Sequence, residues 1–185
     1  MASQRLKQPI VTDPPEAKSQ LSLQPSLTAI DPNWRAVHQA TLLFVIDNKQ
    51  VLLIRKKRGL GAGKINGPGG KLDDNETPVQ CAIREVREEL CIDALDPEFR
   101  GELKFQFIDE YSIHVHVYVA YRYCGRPSET DEASPLWFPL DEVPYREMWA
   151  DDIVWLPQVL SGSSVEGRFL FDGDSLLEYD VSFDH

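Results

Sequence analysis

The chain has 185 residues, of which 42% are hydrophobic and 10% aromatic, so it can fold around one substantial core. Its formal net charge of −11 argues against non-specific adhesion to a nucleic acid backbone or to anionic lipid. If the ligand is an anion, a positive group must mediate its binding, and a metal ion is the obvious candidate.

The first 32 residues are rich in Pro, Gln, Ser and charge, which predicts a loosely ordered N-terminal tail over 1–32 and one domain over 33–185. No apolar run is long enough to cross a bilayer, and the N-terminus has no apolar stretch like that of a signal peptide. The three cysteines form no CxxC pair and fit a reducing compartment. We therefore expect a cytoplasmic protein.

Apolar patterning predicts six strands and two helices along the chain. The strands are predicted at residues 40–46, 50–55, 101–109, 113–123, 167–172 and 175–181, and the helices at about 78–90 and 151–161. The turn segments "DNK" and "GD" join the first two and the last two strands as hairpins. The pattern is typical of an α/β (α+β) fold with a mixed β-sheet sandwiched between helices, although periodicity does not order the strands.

The helix predicted at 78–90 has a clear start. Thr77 can cap it, Pro78 takes its first position, and Gln80 completes a capping box. An apolar face is predicted to enter the core, formed by Val79, Ala82, Ile83, Val86 and Leu90.

Three glutamates share a neighbouring face of this helix. Glu85, Glu88 and Glu89 are spaced i, i+3 and i+4, where like charges cost a few tenths of a kcal/mol per pair. A solvated acidic face partnered by Arg84 is one interpretation, and the residues alone favour it. The alternative is a site for a hard cation such as Mg²⁺, shared with substrate phosphates beside the preceding glycine-rich loop. That loop, "KKRGLGAGKINGPGGK", matches neither the P-loop nor the dinucleotide-binding fingerprint.

Read as a spaced pattern, the same stretch resembles the Nudix box, Gly-x5-Glu-x7-Arg-Glu-U-x-Glu-Glu-x-Gly-U, where U is a bulky aliphatic residue. Gly70, Glu76 and the segment "REVREELCI" at 84–92 match eight of its nine specified positions. Cys91 departs, since the family has a Gly there whose left-handed conformation costs a side chain about 1–2 kcal/mol. The resemblance implies a Nudix fold and metal-dependent phosphoanhydride chemistry.

The loop above and the segment "MWADDIVWLPQVL" extend the resemblance over about residues 38–182, to MutT-type hydrolases of oxidised purine nucleoside triphosphates. It implies hydrolysis of nucleotides such as 8-oxo-dGTP or 2-hydroxy-dATP to the monophosphate and pyrophosphate, with Mg²⁺ or Mn²⁺ as cofactor. Two alternatives stay open: a Nudix hydrolase of another nucleoside diphosphate derivative such as ADP-ribose or a dinucleotide, and a catalytically silent nucleotide-binding domain. The implied partner is a small nucleotide, with no nucleic acid polymer and no membrane, and a monomer is favoured.

The resemblance also implies roles for individual residues. Those near the nucleoside would be Asn66, Asp151 and Asp152 on the base, Trp149 and Phe105 against its ring, and Thr41 and Lys56 near the sugar. Those near the metal and phosphates would be Gly69, Gly70, Glu85, Glu88 and Glu89, with Glu132 a further ligand and Arg84 orienting the carboxylates. Two pocket positions that are aromatic in the mammalian-like group carry Leu60 and Ile65 here, so the preferred base stays open.

The adjacent acids Asp151 and Asp152 allow a physical account of base reading. Two neighbouring carboxylates in a desolvated pocket cannot both ionise cheaply, so one should stay protonated and donate while the other accepts. Exchange of these states could accommodate both an oxidised guanine and an oxidised adenine. Without the resemblance, capping of the following helix is the favoured role.

Overall fold

The computed structural model describes residues 4–9, 26–30 and 33–184. Within those residues the chain forms eleven strands: β1 Gln4–Pro9, β2 His38–Asp47, β3 Gln50–Lys56, β4 Ile65–Asn66, β5 Ile92–Leu95, β6 Glu98–Phe107, β7 Ser112–Ala120, β8 Arg122–Gly125, β9 Ala133–Pro139, β10 Ser164–Asp172 and β11 Ser175–Asp184. The two α-helices are α1 Pro78–Leu90 and α2 Asp152–Leu160. No helix in these ranges is long and apolar enough to cross a bilayer.

One mixed sheet organises the domain, in the order β1-β11-β10-β6-β7-β2-β3-β4, and β9 pairs with β3. The β2–β7 and β10–β6 pairs are parallel and the other pairs are antiparallel. A separate pair, β5 and β8, forms a small second sheet. The predicted mixed sheet and its six long strands are confirmed. The strand predicted at 113–123 is wrong in one respect, because β7 ends at Ala120 and β8 then pairs with β5.

The two helices cover opposite faces of the sheet, as predicted. On one face, α1 buries Ala82, Val86 and Leu90 against Leu43 and other apolar residues of the strands. On the other face, α2 packs Trp155, Leu156 and Val159 into a second cluster that contains Phe44. Strand β2 contributes to both clusters, Leu43 to one and Phe44 to the other, since successive side chains of a strand point to opposite faces.

Part of the predicted tail belongs to the sheet. Gln4–Pro9 pairs antiparallel with β11, so this segment is an edge strand. Residues 10–25, 31 and 32 lie outside the described part of the chain. A domain that starts at residue 33 stays a prediction.

Helix α1 begins and ends as its sequence indicates. Thr77 Oγ1 accepts from the Gln80 N–H at 3.4 Å, and Gln80 Oε1 accepts from the Thr77 N–H at 2.9 Å, so the capping box is confirmed. At the other end Cys91 has φ 59° and ψ 30°, the left-handed conformation expected where the family has Gly. Its N–H still donates to the Arg87 carbonyl at 2.9 Å.

Cys91→Gly should raise the free energy of unfolding by up to about 1 kcal/mol, because Gly adopts the left-handed conformation without the cost that a Cβ brings. For a chain of this size the rise in Tm is about 2–4 °C. Thermal unfolding checks this, with Cys91→Ala as the matched control that removes the thiol and keeps the Cβ. A Gly variant less stable than the Ala variant would contradict the explanation, and turnover should be unchanged in both.

Candidate active site

The loop before α1 brings two glycines against the sheet and the helix. A Cβ on Gly69 would lie 2.0 Å from the Thr41 carbonyl oxygen, and one on Gly70 would lie 2.4 Å from Glu85 Oε1. The Thr41 N–H donates to the Gly70 carbonyl at 2.9 Å. Only glycine fits this close approach, which sets the loop backbone beside the Glu85 carboxylate.

Arg84 joins the acids of the box. Its Nε and Nη2 donate to the two oxygens of Glu76, each at 2.8 Å, in a bidentate pair. Its Nη1 donates to Glu85 Oε1 at 2.7 Å and to Glu88 Oε2 at 3.0 Å. The hydrogen bonds from Arg84 lower the pKa of Glu76 to about 2. One guanidinium therefore offsets much of the repulsion among these acids and holds their carboxylates by hydrogen bonds, while its role in catalysis stays a prediction.

Glu89 is almost fully enclosed, with 2% of its surface exposed. Its Oε2 accepts from the Gly69 N–H at 2.9 Å, and its Oε1 lies 3.8 Å from Lys56 Nζ. Burial raises the pKa of Glu89 to about 7, against the effect of Lys56 and the Gly69 N–H. Burial also raises the pKa of Glu85. These carboxylates sit where ionisation is costly unless more positive charge is supplied.

The donor set suits a hard cation. Glu85, Glu88 and Glu89 offer carboxylate oxygens, which Mg²⁺ and Mn²⁺ prefer, and the predicted ligands include no thiolate or imidazole. Glu132, the further predicted ligand, forms an ion pair with Arg58, and its charge contributes to the raised pKa of Glu89. The residues present therefore fit a divalent metal ion next to Gly69.

A cavity of about 360 Å³ opens beside this cluster. Its lining includes all seven predicted substrate-binding residues: Thr41, Lys56, Asn66, Phe105, Trp149, Asp151 and Asp152. Gly69 and Gly70 also line it and connect it to the carboxylates. The structure thus brings together residues that lie more than a hundred positions apart, although their roles stay predictions.

Several lining residues were not predicted from the sequence. They include Phe107, Tyr111, Ile113, Val115, Trp155 and Phe171. The alternation of Ile113 and Val115 along β7 was visible in the sequence, but nothing indicated which face of the sheet carries the cavity. Leu60 lines the cavity with half of its surface exposed, whereas Ile65 is 1% exposed in the core. Ile65 is therefore not a pocket residue, because β4 directs its side chain into the core.

Thr41 and Lys56, which the resemblance places near the sugar, both line the cavity, and that role stays a prediction. Thr41 Oγ1 donates to Cys81 Sγ on α1 at 3.4 Å, so this hydroxyl is turned toward the helix. Lys56 Nζ approaches Glu89, while the neighbouring Arg55, Lys57 and Arg58 pair with other glutamates. Of this basic segment, Lys56 is the residue that lines the cavity.

Asp151 and Asp152 are each 3% exposed at the base of the cavity. Asp151 Oδ2 accepts from Trp155 Nε1–H at 2.8 Å, and Asp152 Oδ2 accepts from the Trp149 N–H at 3.0 Å. Burial raises the pKa of both acids, and the charge of Asp151 raises that of Asp152 further. Asp151 stands at the N-cap of α2 but makes no capping hydrogen bond with its side chain. Helix capping by Asp151, the alternative role, is therefore wrong.

Trp149 presents a ring to the cavity and is held on several sides. Its ring meets Phe171 edge-to-face with centroids 5.9 Å apart, and Lys64 Nζ lies 5.0 Å from the ring centroid. A Cβ on Gly61 would lie 2.9 Å from Trp149 Nε1, so glycine lets this loop approach the indole. Phe105 stacks on Phe169 at 5.0 Å and forms another wall of the cavity.

A helix that carries the glutamate box, a mixed sheet between two helices and an adjoining cavity together define a Nudix hydrolase. The chain matches the NUDIX domain over residues 36–159, and it belongs to this family.

It is 45% identical over 140 residues to the oxidized purine nucleoside triphosphate hydrolase of Danio rerio, covering 74% of this chain and 88% of that protein. It is 39% identical over 145 residues to the protein of the same name from Mus musculus, covering 76% and 92%. Among solved structures, a MutT protein from Bacillus halodurans superimposes with a TM-score of 0.71 at 28% identity, covering 78% of this chain and 97% of that one.

Proposed function

We propose that this Nudix hydrolase converts oxidised purine nucleoside triphosphates, such as 8-oxo-dGTP or 2-hydroxy-dATP, to the monophosphate and pyrophosphate, with Mg²⁺ or Mn²⁺ as cofactor. The observation that carries the proposal is the buried acid pair Asp151–Asp152 in the same cavity as Trp149 and the Gly69–Gly70 loop. The names of the two vertebrate relatives support the same substrate class. The proposal places the enzyme in the cytoplasm, acting on the nucleotide pool and not on a nucleic acid polymer.

Base recognition rests on paired donors and acceptors. Asp151 and Asp152 each use Oδ2 to accept a hydrogen bond from the protein, which holds both carboxyl groups in place. With their pKa values raised, one acid can stay protonated at neutral pH and donate to the base while its neighbour accepts. Asn66 supplies a further amide at the cavity wall, and the Trp149 ring offers a stacking surface worth about 1–3 kcal/mol per base.

At the phosphate end, Glu85, Glu88 and Glu89 hold the cation, and Arg84 keeps two of them in position. A divalent cation held by these residues would supply charge neutralisation at the phosphate oxygens and would lower the pKa of a coordinated water. Lys56, beside Glu89, adds a positive charge where the triphosphate enters. One of the glutamates, or Glu132, removes the proton from the attacking water.

The cavity volume favours a substrate with one nucleoside over a dinucleotide. About 360 Å³ lies near the small end of the range for ligand sites, which suits one nucleoside better than the two of a dinucleotide. Retention of the three box glutamates and of Arg84 argues against a catalytically silent domain.

Turnover with Mg²⁺ across a nucleotide panel tests the proposal. The panel contains 8-oxo-dGTP, 2-hydroxy-dATP, dGTP, dATP, ADP-ribose and a dinucleoside polyphosphate. We expect the highest kcat/KM for the oxidised triphosphates, with one pyrophosphate released per monophosphate. A preference for ADP-ribose or the dinucleotide would replace this substrate assignment, and absence of turnover on the whole panel would indicate a binding domain.

A further inference from the structure

A second group of ligand-type side chains lies on the sheet face opposite the cavity. Ile113 and Val115 line the cavity, so His114 and His116, which alternate with them along β7, point to the other face. Glu102 lies twelve positions before His114 in the sequence, and the β6–β7 register sets it directly across from His116.

The three side chains converge closely. His114 Nε2 lies 2.9 Å from Glu102 Oε2, and His116 Nδ1 lies 3.5 Å from Glu102 Oε1. One ligand atom from each residue falls within 4.8 Å of the other two. Zinc–nitrogen bonds of 2.0–2.1 Å in a tetrahedral site place ligand atoms about 3.3 Å apart. Binding an ion here therefore requires small side-chain rotations and transfer of the His114 proton, which Nε2 donates to Glu102 Oε2, to Nδ1.

A neighbouring amide holds the His116 ring, since His116 Nε2 lies 3.0 Å from Gln39 Oε1. In the tautomer with its proton on Nε2, the ring donates to Gln39 and the Nδ1 lone pair faces Glu102. A lone pair facing a carboxylate oxygen at 3.5 Å is repulsive unless a cation lies between them. A metal-binding histidine commonly donates its other ring N–H to a carbonyl or carboxylate in this way. Trp34 covers His114 edge-on at 6.3 Å, and the two histidine side chains are 17% and 14% exposed.

We propose that Glu102, His114 and His116 form a second metal site, for Zn²⁺ or a similar transition-metal ion, with a fourth position open to water. Two imidazoles and one carboxylate are ligands that Zn²⁺ accepts and that Mg²⁺, which prefers oxygen, does not favour. The two sites of the protein therefore differ in the metal they select.

The consequence of occupancy is stabilisation of the sheet. The ion would join β6 to β7, and the Gln39–His116 hydrogen bond extends the link to β2. Since Ile113 and Val115 alternate with these ligands on β7 and face the cavity, the metal would fix the strand that carries one cavity wall. The ion is structural and takes no part in the hydrolysis.

The test is equilibrium dialysis of the full chain against Zn²⁺ in excess Mg²⁺, followed by elemental analysis. We expect one Zn²⁺ per chain and a rise in Tm of about 5–10 °C at a hundredfold excess over Kd. His116→Gln should lose the bound Zn²⁺ and the Zn²⁺-dependent rise in Tm, and it should keep Mg²⁺-dependent turnover. His38→Gln removes a histidine that packs on Tyr111 outside the site, and it should keep the bound Zn²⁺ and the rise in Tm. Glu88→Gln, at the box, should keep them as well.

Three results would overturn the proposal: no Zn²⁺ bound in excess Mg²⁺, an unchanged stoichiometry in His116→Gln, or loss of Zn²⁺ in Glu88→Gln, which would assign the ion to the box. If His116→Gln does not fold, wild-type protein loaded with Co²⁺ gives an independent measurement. A low-coordinate Co²⁺ ion with imidazole ligands absorbs strongly in the visible range, whereas Co²⁺ held by carboxylates and water absorbs weakly. Weak visible absorption of the Co²⁺-loaded protein would contradict the proposed site without the need for a variant.

Discussion

Replacing Glu89 with Gln lowers kcat by about 100- to 1,000-fold and makes the metal-free protein more stable at pH 8. The loss of turnover follows from the loss of a carboxylate ligand, because charge stabilisation by a bound metal ion is worth several kcal/mol. The gain in stability follows from burial. Glu89 is 2% exposed, and its Gln counterpart still offers an oxygen to the Gly69 N–H while no charge is enclosed. Steady-state kinetics and chemical denaturation in EDTA measure the two effects.

The pH dependence of stability gives a sharper check on Glu89. Its folded-state pKa of about 7 lies above the ordinary value of 4.5, so the folded protein binds more protons than the unfolded chain between these values. The free energy of unfolding therefore falls as pH rises from about 4.5 to 7, by on the order of 1–3 kcal/mol from this group. The Gln variant should lack this part of the slope. An equal slope in both proteins between pH 5 and 8 would contradict the assignment.

Glu88→Gln separates catalysis from stability. The Glu88 side chain is 53% exposed and meets Arg84 at the surface, so its removal should change the free energy of unfolding by less than about 1 kcal/mol. Turnover should nevertheless fall as far as in Glu89→Gln. Near-normal turnover of both variants at limiting Mg²⁺ would mean that these residues do not hold the metal.

The features that the sequence predicted directly are local ones. The capping box at Thr77 and Gln80, the face of α1 and the turns of the two hairpins depend on residues a few positions apart. The box motif supplied the candidate metal ligands in the same way, because Glu85, Glu88 and Glu89 lie on one short helix. The short strands β5 and β8 were missed since their four residues each are held by partners about 30 positions away.

Other features required the register of the sheet. Glu102 lies twelve positions before His114, and only the antiparallel pairing of β6 with β7 shows that it faces both histidines. The cavity depends on such long-range contacts as well, since Asn66 and Asp151 lie on different elements and neither has a local signal for base binding. The expectation for these residues came from resemblance to a family.

Asp151→Asn and Asp152→Asn should each change the ratio of kcat/KM for 8-oxo-dGTP against 2-hydroxy-dATP. In either variant the amide oxygen can replace Oδ2 as the acceptor from Trp155 Nε1–H or the Trp149 N–H, which directs the NH₂ group to the cavity as a fixed donor. The acid can no longer switch between donor and acceptor. The expected discrimination corresponds to one or two hydrogen bonds to a buried partner, about 1–3 kcal/mol for each variant.

Stability and pH distinguish this mechanism from a structural role for the pair. Because burial raises the pKa of both acids, replacing either with a neutral amide should not lower the free energy of unfolding, and metal dependence should stay as in the wild type. The wild-type ratio should vary with pH as the pair titrates, whereas each variant should show a flatter profile. Asp141→Asn, at an exposed position, serves as the matched control with an unchanged ratio. If both pocket variants lose activity equally on every nucleotide and also lose stability, the pair supports α2 and does not read the base.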